Sequence, residues 1–266
     1  MHVSGKTIVV TGGANGMGRQ LVFNLLNKGA RVAVVDMKEE ALNETAVLAA
    51  DKRDRLSLHA LNITNKEDVE ALPEKVIAAH GAVDGIINNA GIIQPFVPIA
   101  QLDYAAIERV MHVNFYGTLY ITKAFLPYLL KRPEAHIVNI SSMGGFLPVP
   151  GQSIYGASKA AVKLFTEGLR SELMDTPVKV TIVFPGAIAT NIAANSGVAL
   201  KANANNDNSS IQMTSPADAA EMIVEGMQQN KYRILVGKDA KFLDFLYRLR
   251  PQYAAEFIYK KMKDLV

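Results

Sequence analysis

Residues 6–18 read KTIVVTGGANGMG, in which an apolar run (Thr7–Val10) leads directly into a glycine-rich turn. Glycines let a backbone turn tightly and approach a phosphate, and the helix that follows such a turn directs its free N–H groups and positive end toward the anion. The spacing is T-G-x-x-x-G-x-G, which differs from the G-x-G-x-x-G dinucleotide fingerprint. Taken alone, the stretch fits a phosphate-binding turn and a glycine-rich turn without a ligand equally well.

Further apolar runs follow along the chain, and stretches with helical periodicity separate them. The runs are Val32–Val35, Leu56–Ala60, Val83–Asn88, His136–Ile140, Val178–Phe184 and Tyr232–Val236. The early runs are almost continuously apolar, as expected of strands that helices cover on both faces. This alternation predicts an α/β fold: a doubly wound, mostly parallel, Rossmann-type sheet of about seven strands with helices on both faces.

The same patterns predict how the chain is organised. Residues 1–266 are expected to form a single domain, because one α/β core routinely reaches this size. Residues 187–215 are predicted to be a mobile substrate loop, since Lys201–Ser210 (KANANNDNSS) is too polar to join a core. Residues 239–266 are predicted to form a C-terminal amphipathic helical extension.

The composition excludes several functional classes. The chain contains no Cys, which excludes disulfides and thiolate metal sites, and its five His show no ligand spacing, so no metal is predicted. No apolar run approaches the roughly 18–20 residues of a membrane-spanning helix, and no signal peptide is expected before Lys6. The formal net charge of +3 is small and is taken as scattered, which argues against nucleic acid as a partner. A soluble cytoplasmic protein is expected.

Asp36 ends the second apolar run, 18 residues after Gly18. That spacing is close to the ~20 residues expected of a carboxylate that accepts hydrogen bonds from an adenosine ribose. A carboxylate there would repel a 2′-phosphate, which favours NAD over NADP. Arg19 and Lys38 are nearby cations that leave NADP open as the less favoured cofactor, and a solvated Asp at the start of a helix is the alternative without a ligand.

Tyr155 and Lys159 are spaced i, i+4 at the start of a helical segment, so they share one face. A free phenol has a pKa of about 10, and a nearby ammonium favours the phenolate, so the pair suits proton transfer. A pair on the surface is the alternative for this short motif by itself. Ser142 ends a strand-like run 13 residues before Tyr155, whereas the competing Ser141 is expected to serve the strand end.

These motifs, together with Asn88-Asn89-Ala90-Gly91 and Asn114, resemble the short-chain dehydrogenase/reductase family in its common form of about 250 residues. The resemblance covers roughly residues 5–236. It implies an oxidoreductase that transfers a hydride between NAD(H) and a secondary alcohol or ketone. It also implies that Tyr155 is the general acid/base and that Lys159 lowers its pKa and holds the nicotinamide ribose.

The resemblance implies further roles residue by residue. Ser142 would bind the substrate oxygen, and Asn114 would hold a water that links Lys159 to solvent. The other positions are expected to bind the cofactor: Gly12, Asn15, Gly16, Met17 and Gly18 at the pyrophosphate, Asn62 and Ile63 at the adenine, Asn89 at the adenosine ribose, and Ile188 and Thr190 at the nicotinamide carboxamide. A homodimer or homotetramer is expected.

The substrate pocket is predicted from residues that follow the catalytic motifs. Its candidates are Met143, Gly144, Phe146, Val149, Gln152, Gln94, Phe96 and the loop Ala187–Ser210. Most of the first group are apolar, which suggests a hydrophobic substrate. A non-catalytic nucleotide-binding sensor on the same fold is another functional class, but the intact Tyr155 and Lys159 favour an enzyme.

The basic amphipathic stretch Lys241–Val266 resembles the lipid, retinoid or steroid branch of the family. Chains of the 3-oxoacyl-thioester reductase branch end sooner, in a glycine-rich tail, which makes that activity the alternative. The apolar residues predicted to share faces are Phe242, Phe245, Leu246 and Leu249, and then Phe257, Ile258 and Met262. The stretch is expected to cap the pocket or a subunit interface; the alternative is a weak membrane-surface contact helped by Lys260, Lys261 and Lys263.

Overall fold

The computed structural model describes residues 1–198 and 213–263. Within these ranges the seven apolar runs form one parallel sheet, with the strand order β3-β2-β1-β4-β5-β6-β7. The strands are β1 (Thr7–Thr11), β2 (Arg31–Asp36), β3 (Leu56–Ala60), β4 (Gly85–Asn88), β5 (Ala135–Ile140), β6 (Val178–Pro185) and β7 (Arg233–Val236). The predicted doubly wound α/β fold is confirmed.

Ten α-helices lie in the described ranges and connect or follow these strands. They are α1 (Gly16–Asn27), α2 (Glu39–Leu48), α3 (Lys66–His80), α4 (Tyr104–Met111), α5 (Thr118–Leu129), α6 (Ser153–Glu172), α7 (Ile192–Asn195), α8 (Pro216–Gln228), α9 (Lys238–Leu249) and α10 (Pro251–Met262). A π-helical turn, His112–Gly117, joins α4 to α5.

The core lies on both faces of the sheet, because successive strand side chains point to opposite faces. In β1, Ile8 packs in the same apolar cluster as Leu25 of α1, whereas Val9 packs in the cluster of Phe125 of α5. All four of these side chains are fully buried. The order of strands reverses between β1 and β4, which is where open α/β sheets form a crevice at the carboxyl ends of their strands.

The C-terminal helical extension is present as α9 and α10. Leu243, Ala254 and Ile258 of these helices pack with Leu147, which follows β5. Leu246 is half-buried beside the same cluster, whereas Phe242, Phe245 and Leu249 are exposed. The four residues predicted to share one face therefore divide between two environments, because helix α9 turns Leu246 toward the body of the protein.

The predicted loop 187–215 is described only in part. Its first residues include helix α7, and Ile188 pairs with Thr214 in a parallel bridge. The polar stretch Lys201–Ser210 lies outside the described residues, and the mobility of the loop stays a prediction.

Candidate active site

A single cleft at the carboxyl ends of the strands collects the predicted site residues. All of them except Asn114 line it: Gly12, Asn15, Gly16, Met17, Gly18, Asp36, Asn62, Ile63, Asn89, Ser142, Tyr155, Lys159, Ile188 and Thr190. Asn114 lies behind the wall of the cleft, fully buried. Motifs that are far apart in the sequence thus meet at one place in the fold.

The glycine-rich turn has a backbone that other residues would not reproduce. Gly12 and Gly16 have φ values of +62° and +52°, a region that L residues rarely adopt. A Cβ on Gly12 would lie 2.9 Å from the Cα of Ala90, and a Cβ on Gly18 would overlap the Gly12 carbonyl oxygen. Asn15, the N-cap of α1, makes no side-chain capping bond. The first amides of α1 therefore carry no side-chain cap where the helix begins beside the cleft.

Asp36 is held at the end of β2 by two backbone amides. Its Oδ2 accepts a hydrogen bond from the amide of Ala14 at 3.2 Å, and its Oδ1 accepts one from the amide of Lys38 at 3.2 Å. A carboxylate oxygen can accept more than one hydrogen bond, so capacity remains toward the cleft. Arg19 is engaged elsewhere: its guanidinium donates to the Glu44 carboxylate at 2.6 Å and to the Ala14 carbonyl at 2.8 Å.

The two asparagines assigned to the adenosine end shape the backbone around it. The Asn89 amide donates to the carbonyls of Thr11 and Gly12, at 3.0 and 3.1 Å, and so braces the glycine-rich turn. Asn62 accepts from the backbone amide and the hydroxyl of Thr64, at 3.0 and 2.9 Å. Their contacts with a nucleotide stay a prediction.

The two neighbouring serines have different environments. The Ser141 hydroxyl is buried and donates to the Lys159 carbonyl at 2.7 Å, which binds the end of β5 to α6. The Ser142 hydroxyl accepts from the Gly144 amide at 3.1 Å and hydrogen-bonds with Tyr155 in the cleft. This arrangement places Ser142, rather than Ser141, beside the phenol, as the 13-residue spacing predicts.

The N-terminus of α6, which carries Tyr155, is held by a residue from a distant part of the chain. The Gln94 side-chain oxygen accepts hydrogen bonds from the amides of Ile154 and Tyr155, at 2.8 and 2.9 Å. In return, the Gln152 side chain donates to the Gln94 carbonyl at 2.8 Å. Both glutamines are buried. Neither glutamine lines the cleft, in contrast to the prediction that they line the substrate pocket, because their side chains bond to backbone groups around the start of α6.

Burial controls the ionisation of the Tyr155–Lys159 pair. It lowers the pKa of the Lys159 ammonium from 10.5 to about 8, and that group donates to the Ile140 carbonyl at 3.0 Å. Burial also raises the pKa of the Tyr155 phenol above its usual 10.0, although the hydrogen bond with Ser142 acts in the opposite direction. The lowering of the Tyr155 pKa that the resemblance assigns to Lys159 stays a prediction.

Asn114 lies in the π-helical turn, a distortion that is frequent at functional sites. Its side-chain oxygen accepts from the Ile92 amide at 2.9 Å, while its nitrogen donates to the Ile92 carbonyl and the Ser158 hydroxyl, at 3.0 and 2.9 Å. These bonds fix the chain after β4 against α6. The water that the resemblance assigns to Asn114 stays a prediction.

The apolar side of the cleft differs from the prediction. Among the described residues it is lined by Ile92, Ile93, Ile140, Ile192 and Asn195. Of the predicted pocket residues, Phe146 instead packs against Phe184 and Tyr247, with ring centroids 5.5 and 5.9 Å apart. Met143 joins the same packing under the C-terminal helices. The interpretation from sequence missed this because nothing in the spacing showed that α9 and α10 cover these side chains.

The loop that carries Ile188 and Thr190, which the resemblance assigns to the nicotinamide end, is held by the C-terminal extension. The Asp239 carboxylate accepts a hydrogen bond from the Ala187 amide at 2.6 Å. Thr214 adds two backbone bonds, to Ala187 at 2.9 Å and to Ala189 at 3.0 Å. Sequence reasoning did not single out Asp239, and a lone acidic residue in a helix carries no signal of such a contact. Within residues 1–198 and 213–263, no cluster of His, Asp or Glu could hold a metal ion.

Comparison with known proteins agrees with this fold. The family model described as short chain dehydrogenase matches residues 6–200. SadH of Mycobacterium tuberculosis, which is named as an oxidoreductase, is 39% identical over 251 residues, covering 92% of this chain and 91% of that protein. The chain therefore belongs to the short-chain dehydrogenase family.

Two further relatives bear on the site. A protein named 3beta-hydroxysteroid dehydrogenase 2, from Eggerthella lenta, is 35% identical over 191 residues, covering 71% of this chain and 74% of that protein. A short chain dehydrogenase from Burkholderia cenocepacia, solved in complex with NADP, superposes with a TM-score of 0.81 and 26% identity. The alignment covers 97% of this chain and 99% of that one.

The residues present fit a nicotinamide dinucleotide, the cofactor class of this family. The positive φ angles at positions 12 and 16 favour glycine, so the turn carries no side chains there, and the anion-binding N-terminus of α1 follows directly. Gly91 has the same role deeper in the cleft, because a Cβ there would lie 3.1 Å from the Lys159 ammonium and 3.3 Å from the Asn114 oxygen.

Proposed function

We propose that this protein is an NAD(H)-dependent dehydrogenase that interconverts a hydrophobic secondary alcohol and its ketone. The observation that carries the proposal is the convergence of Ser142, Tyr155 and Lys159 in the cleft that also contains the glycine-rich turn and Asp36. A proton-transfer group and a dinucleotide-binding turn in one cleft are what such a reaction requires.

Each residue of the group has a distinct task. When the alcohol is oxidised, Tyr155 takes the hydroxyl proton while the carbon loses a hydride; when the ketone is reduced, both transfers reverse. Hydride transfer at the nicotinamide ring is the chemistry that NAD supplies when bound. Ser142 donates a hydrogen bond to the substrate oxygen. The buried Lys159 ammonium places a positive charge beside the oxygens that gain negative charge, which favours the phenolate.

The preference for NAD over NADP is supported by charge. Two amides fix the Asp36 carboxylate at the end of β2. If the adenosine ribose binds there, as proposed, this carboxylate would repel a 2′-phosphate and weaken NADP binding. Arg19, which could otherwise bind that phosphate, forms an ion pair with Glu44. Lys38 still lines the cleft. We therefore propose that the protein binds NAD more tightly than NADP but does not exclude NADP.

The hydrophobic substrate is supported by the isoleucines that line the cleft, Ile92, Ile93 and Ile192, and by the name of the Eggerthella lenta relative. A 3-oxoacyl-thioester reductase is the second candidate within the same chemistry. The two C-terminal helices favour the first, because chains of the reductase branch are expected to end soon after β7.

The experiment is an assay of NADH formation with purified protein, NAD and a panel of secondary alcohols. The panel includes a long-chain 2-alkanol, a 3β-hydroxysteroid, a 3-hydroxyacyl thioester and 2-propanol as the polar control. Turnover that favours the first two supports the proposal, and turnover of the thioester alone favours the second candidate. Tight NADH binding, with neither oxidation of any alcohol nor reduction of any matching ketone, would instead indicate a nucleotide sensor.

Assembly and location stay predictions. Leu164 of α6 is 70% exposed, and covering it would favour the predicted homodimer or homotetramer. No helix in the described part of the chain has the length and apolar character to span a bilayer. The cytoplasmic location rests on the sequence argument alone.

A further inference from the structure

Helix α9 presents a second apolar face that the body of the protein does not cover. Phe242, Phe245 and Leu249 are 55%, 64% and 64% exposed. Their i, i+3, i+7 spacing places them on one side of the helix. Leu243 lies on the other side and is buried against the core. The helix is thus apolar on two sides. On the exposed side Phe242 contacts Phe257 of α10 edge to face, with ring centroids 6.3 Å apart, and Phe245 and Leu249 remain the most exposed.

Positive charge surrounds the exposed face. Lys238, Lys241 and Arg248 are exposed on the same side of α9, within about 120° of helix circumference at 100° per residue. The two acidic residues of this helix turn inward: Asp244 pairs with Arg233 at 2.5 Å and with Arg248 at 3.1 Å, and Asp239 accepts from Ala187. Among the described residues, Lys238 and Lys241 are therefore the cations of this face without an acidic partner. The outward surface of α9 therefore combines aromatic and aliphatic side chains with cations.

The net charge of the whole chain resides in this extension. Residues 238–266 contain seven Lys or Arg and four Asp or Glu, which gives +3, the net charge of the entire protein. The preceding 237 residues contain 21 of each sign. The interpretation of the basic excess as scattered is therefore wrong: a neutral body carries a basic, apolar appendage.

We infer that the exposed face of α9 docks on an anionic lipid bilayer. Phe and Leu flanked by Lys and Arg on an exposed helix are the composition of helices that lie in a membrane interface. A second copy of the chain fits less well, because its α9 would bring the same cations into contact. An acidic peptide would pair with the cations but would leave Phe245 and Leu249 exposed, whereas a bilayer interface takes up both kinds of side chain.

The position of α9 would bring a bound bilayer close to the cleft. The helix begins directly after β7 and its Asp239 holds the loop that carries Ile188 and Thr190, so a bilayer on its outer face would lie beside the cleft. The inference deepens the proposed function, since a hydrophobic alcohol partitions into lipid. Only the suggested benefit, access to a substrate dissolved in the bilayer, rests on the proposed function. The membrane contact itself is measured without substrate.

The test is co-sedimentation with vesicles, using the full chain without cofactor. Vesicles of mixed phosphatidylglycerol and phosphatidylcholine should bind the protein, whereas pure phosphatidylcholine should bind it at least about tenfold more weakly. Raising the salt from about 0.1 M to about 1 M, which shortens the Debye length from about 10 Å to about 3 Å, should release most of it. Absence of binding to the anionic vesicles would overturn the inference.

Two variants separate the apolar and ionic contributions. F245S/L249S and K238Q/K241Q should each lower the partition coefficient on anionic vesicles at least about tenfold. Leu48→Ser and Lys66→Gln are the matched controls. Leu48 is 53% exposed at the end of α2, near the opposite edge of the sheet, and Lys66 is exposed on α3. Both controls should bind like the wild type.

Other occupants of the face give different results. A smaller assembly of F245S/L249S in light scattering, without a change in vesicle binding, would show a subunit interface and overturn the inference. Binding to polyglutamate as tight as to anionic vesicles, and insensitive to F245S/L249S, would show a purely ionic surface and also overturn it. Turnover of a water-soluble alcohol should be the same in F245S/L249S and wild type. If the wild type turns over no alcohol, the proposed function fails while the vesicle result stands.

Discussion

The carboxylate of Asp239, at the start of α9, accepts a hydrogen bond of 2.6 Å from the backbone amide of Ala187, 52 residues earlier in the chain. The same carboxylate lies so close to Gly186 and Gly237 that a Cβ on either would overlap it, and its Oδ1 has no hydrogen-bond partner among the described residues. The first turn of the extension therefore fixes the loop whose residues Ile188 and Thr190 line the cleft and are proposed to contact the nicotinamide.

Replacing Asp239 should weaken the binding of the nicotinamide half of the cofactor and leave the binding of the ADP-ribose half unchanged. Asp239→Ala removes an acceptor from a charged hydrogen bond, worth about 1.5–3 kcal/mol, so NADH affinity should fall about tenfold or more. ADP-ribose, which lacks nicotinamide, should bind as before. Asp239→Asn, which keeps one acceptor in the same volume, should be close to wild type. NADH fluorescence and competition by ADP-ribose measure both constants; an equal loss for both ligands would show general damage to the fold.

Tyr155→Phe should remove proton transfer and leave cofactor binding intact. General acid–base catalysis contributes about 10²- to 10⁴-fold, so kcat should fall by that factor while the NADH dissociation constant changes little. Tyr104→Phe, at an 84% exposed phenol outside the cleft, is the control. A Tyr155→Phe enzyme that keeps more than about a tenth of kcat, with chemistry rate-limiting, would contradict the assignment.

Lys159→Met should abolish activity, weaken NADH binding and change the pH dependence of stability. The folded-state pKa of Lys159 is lowered from 10.5 to about 8, so the unfolded chain binds more protons between those values and wild-type stability should rise with pH through that window. Relative to the methionine variant, the gain approaches about 3 kcal/mol. Urea titrations of both proteins below and above the window measure it, and parallel curves would show an unshifted pKa.

Asp36→Ala should change the choice of cofactor. The wild type should bind NADH at least about tenfold tighter than NADPH, about 1.4 kcal/mol, and the variant should lose most of that difference, since both the ribose acceptor and the charge repulsion disappear. Glu39→Ala removes an exposed charge just outside the cleft and should keep the preference. Equal wild-type affinities for the two cofactors would refute the role of Asp36.

His136 should make the fold sensitive to acid. The ring is fully buried against the Thr181 hydroxyl, and burial, with smaller effects from nearby cations, lowers its pKa to about 3. The unfolded chain binds a proton below about pH 6.5, so stability should be lost as pH falls from there toward about 3. Between pH 7 and 5 the loss is about 2 kcal/mol. His136→Gln should remove that share of the slope in urea titrations; an unchanged slope would indicate another group.

The strands could be predicted because their residues are buried on both faces. Each apolar run has its counterpart in the sheet, with ends that differ by no more than two residues: Val83–Asn88 became Gly85–Asn88, and Val32–Val35 gained Arg31 and Asp36. The cleft could be predicted for a related reason, because Gly12, Asp36 and Tyr155 each lie at a recognisable number of residues from the end of a strand in the sequence. Both kinds of signal are local in sequence.

The parts that could not be predicted are contacts between distant segments. Gln94 looked like a pocket residue, yet it holds two amides sixty residues later; Phe146 looked like a pocket residue, yet α9 and α10 cover it. A side chain that bonds to a distant backbone leaves no periodicity or spacing in the sequence. The raised pKa of Tyr155 belongs to the same class, because its cause is burial by parts of the chain that are distant in the sequence.

The hydrogen bonds that link Gln94 and Gln152 limit how this chain can be recombined with its relatives. A chimera joined between residues 100 and 150 would take the two glutamines from different parents. If only one parent has the pair, the start of α6 would lose either its acceptor for the Tyr155 amide or the donor that fixes that acceptor. Grafts that change the catalytic helix should therefore carry residues 92–95 with it.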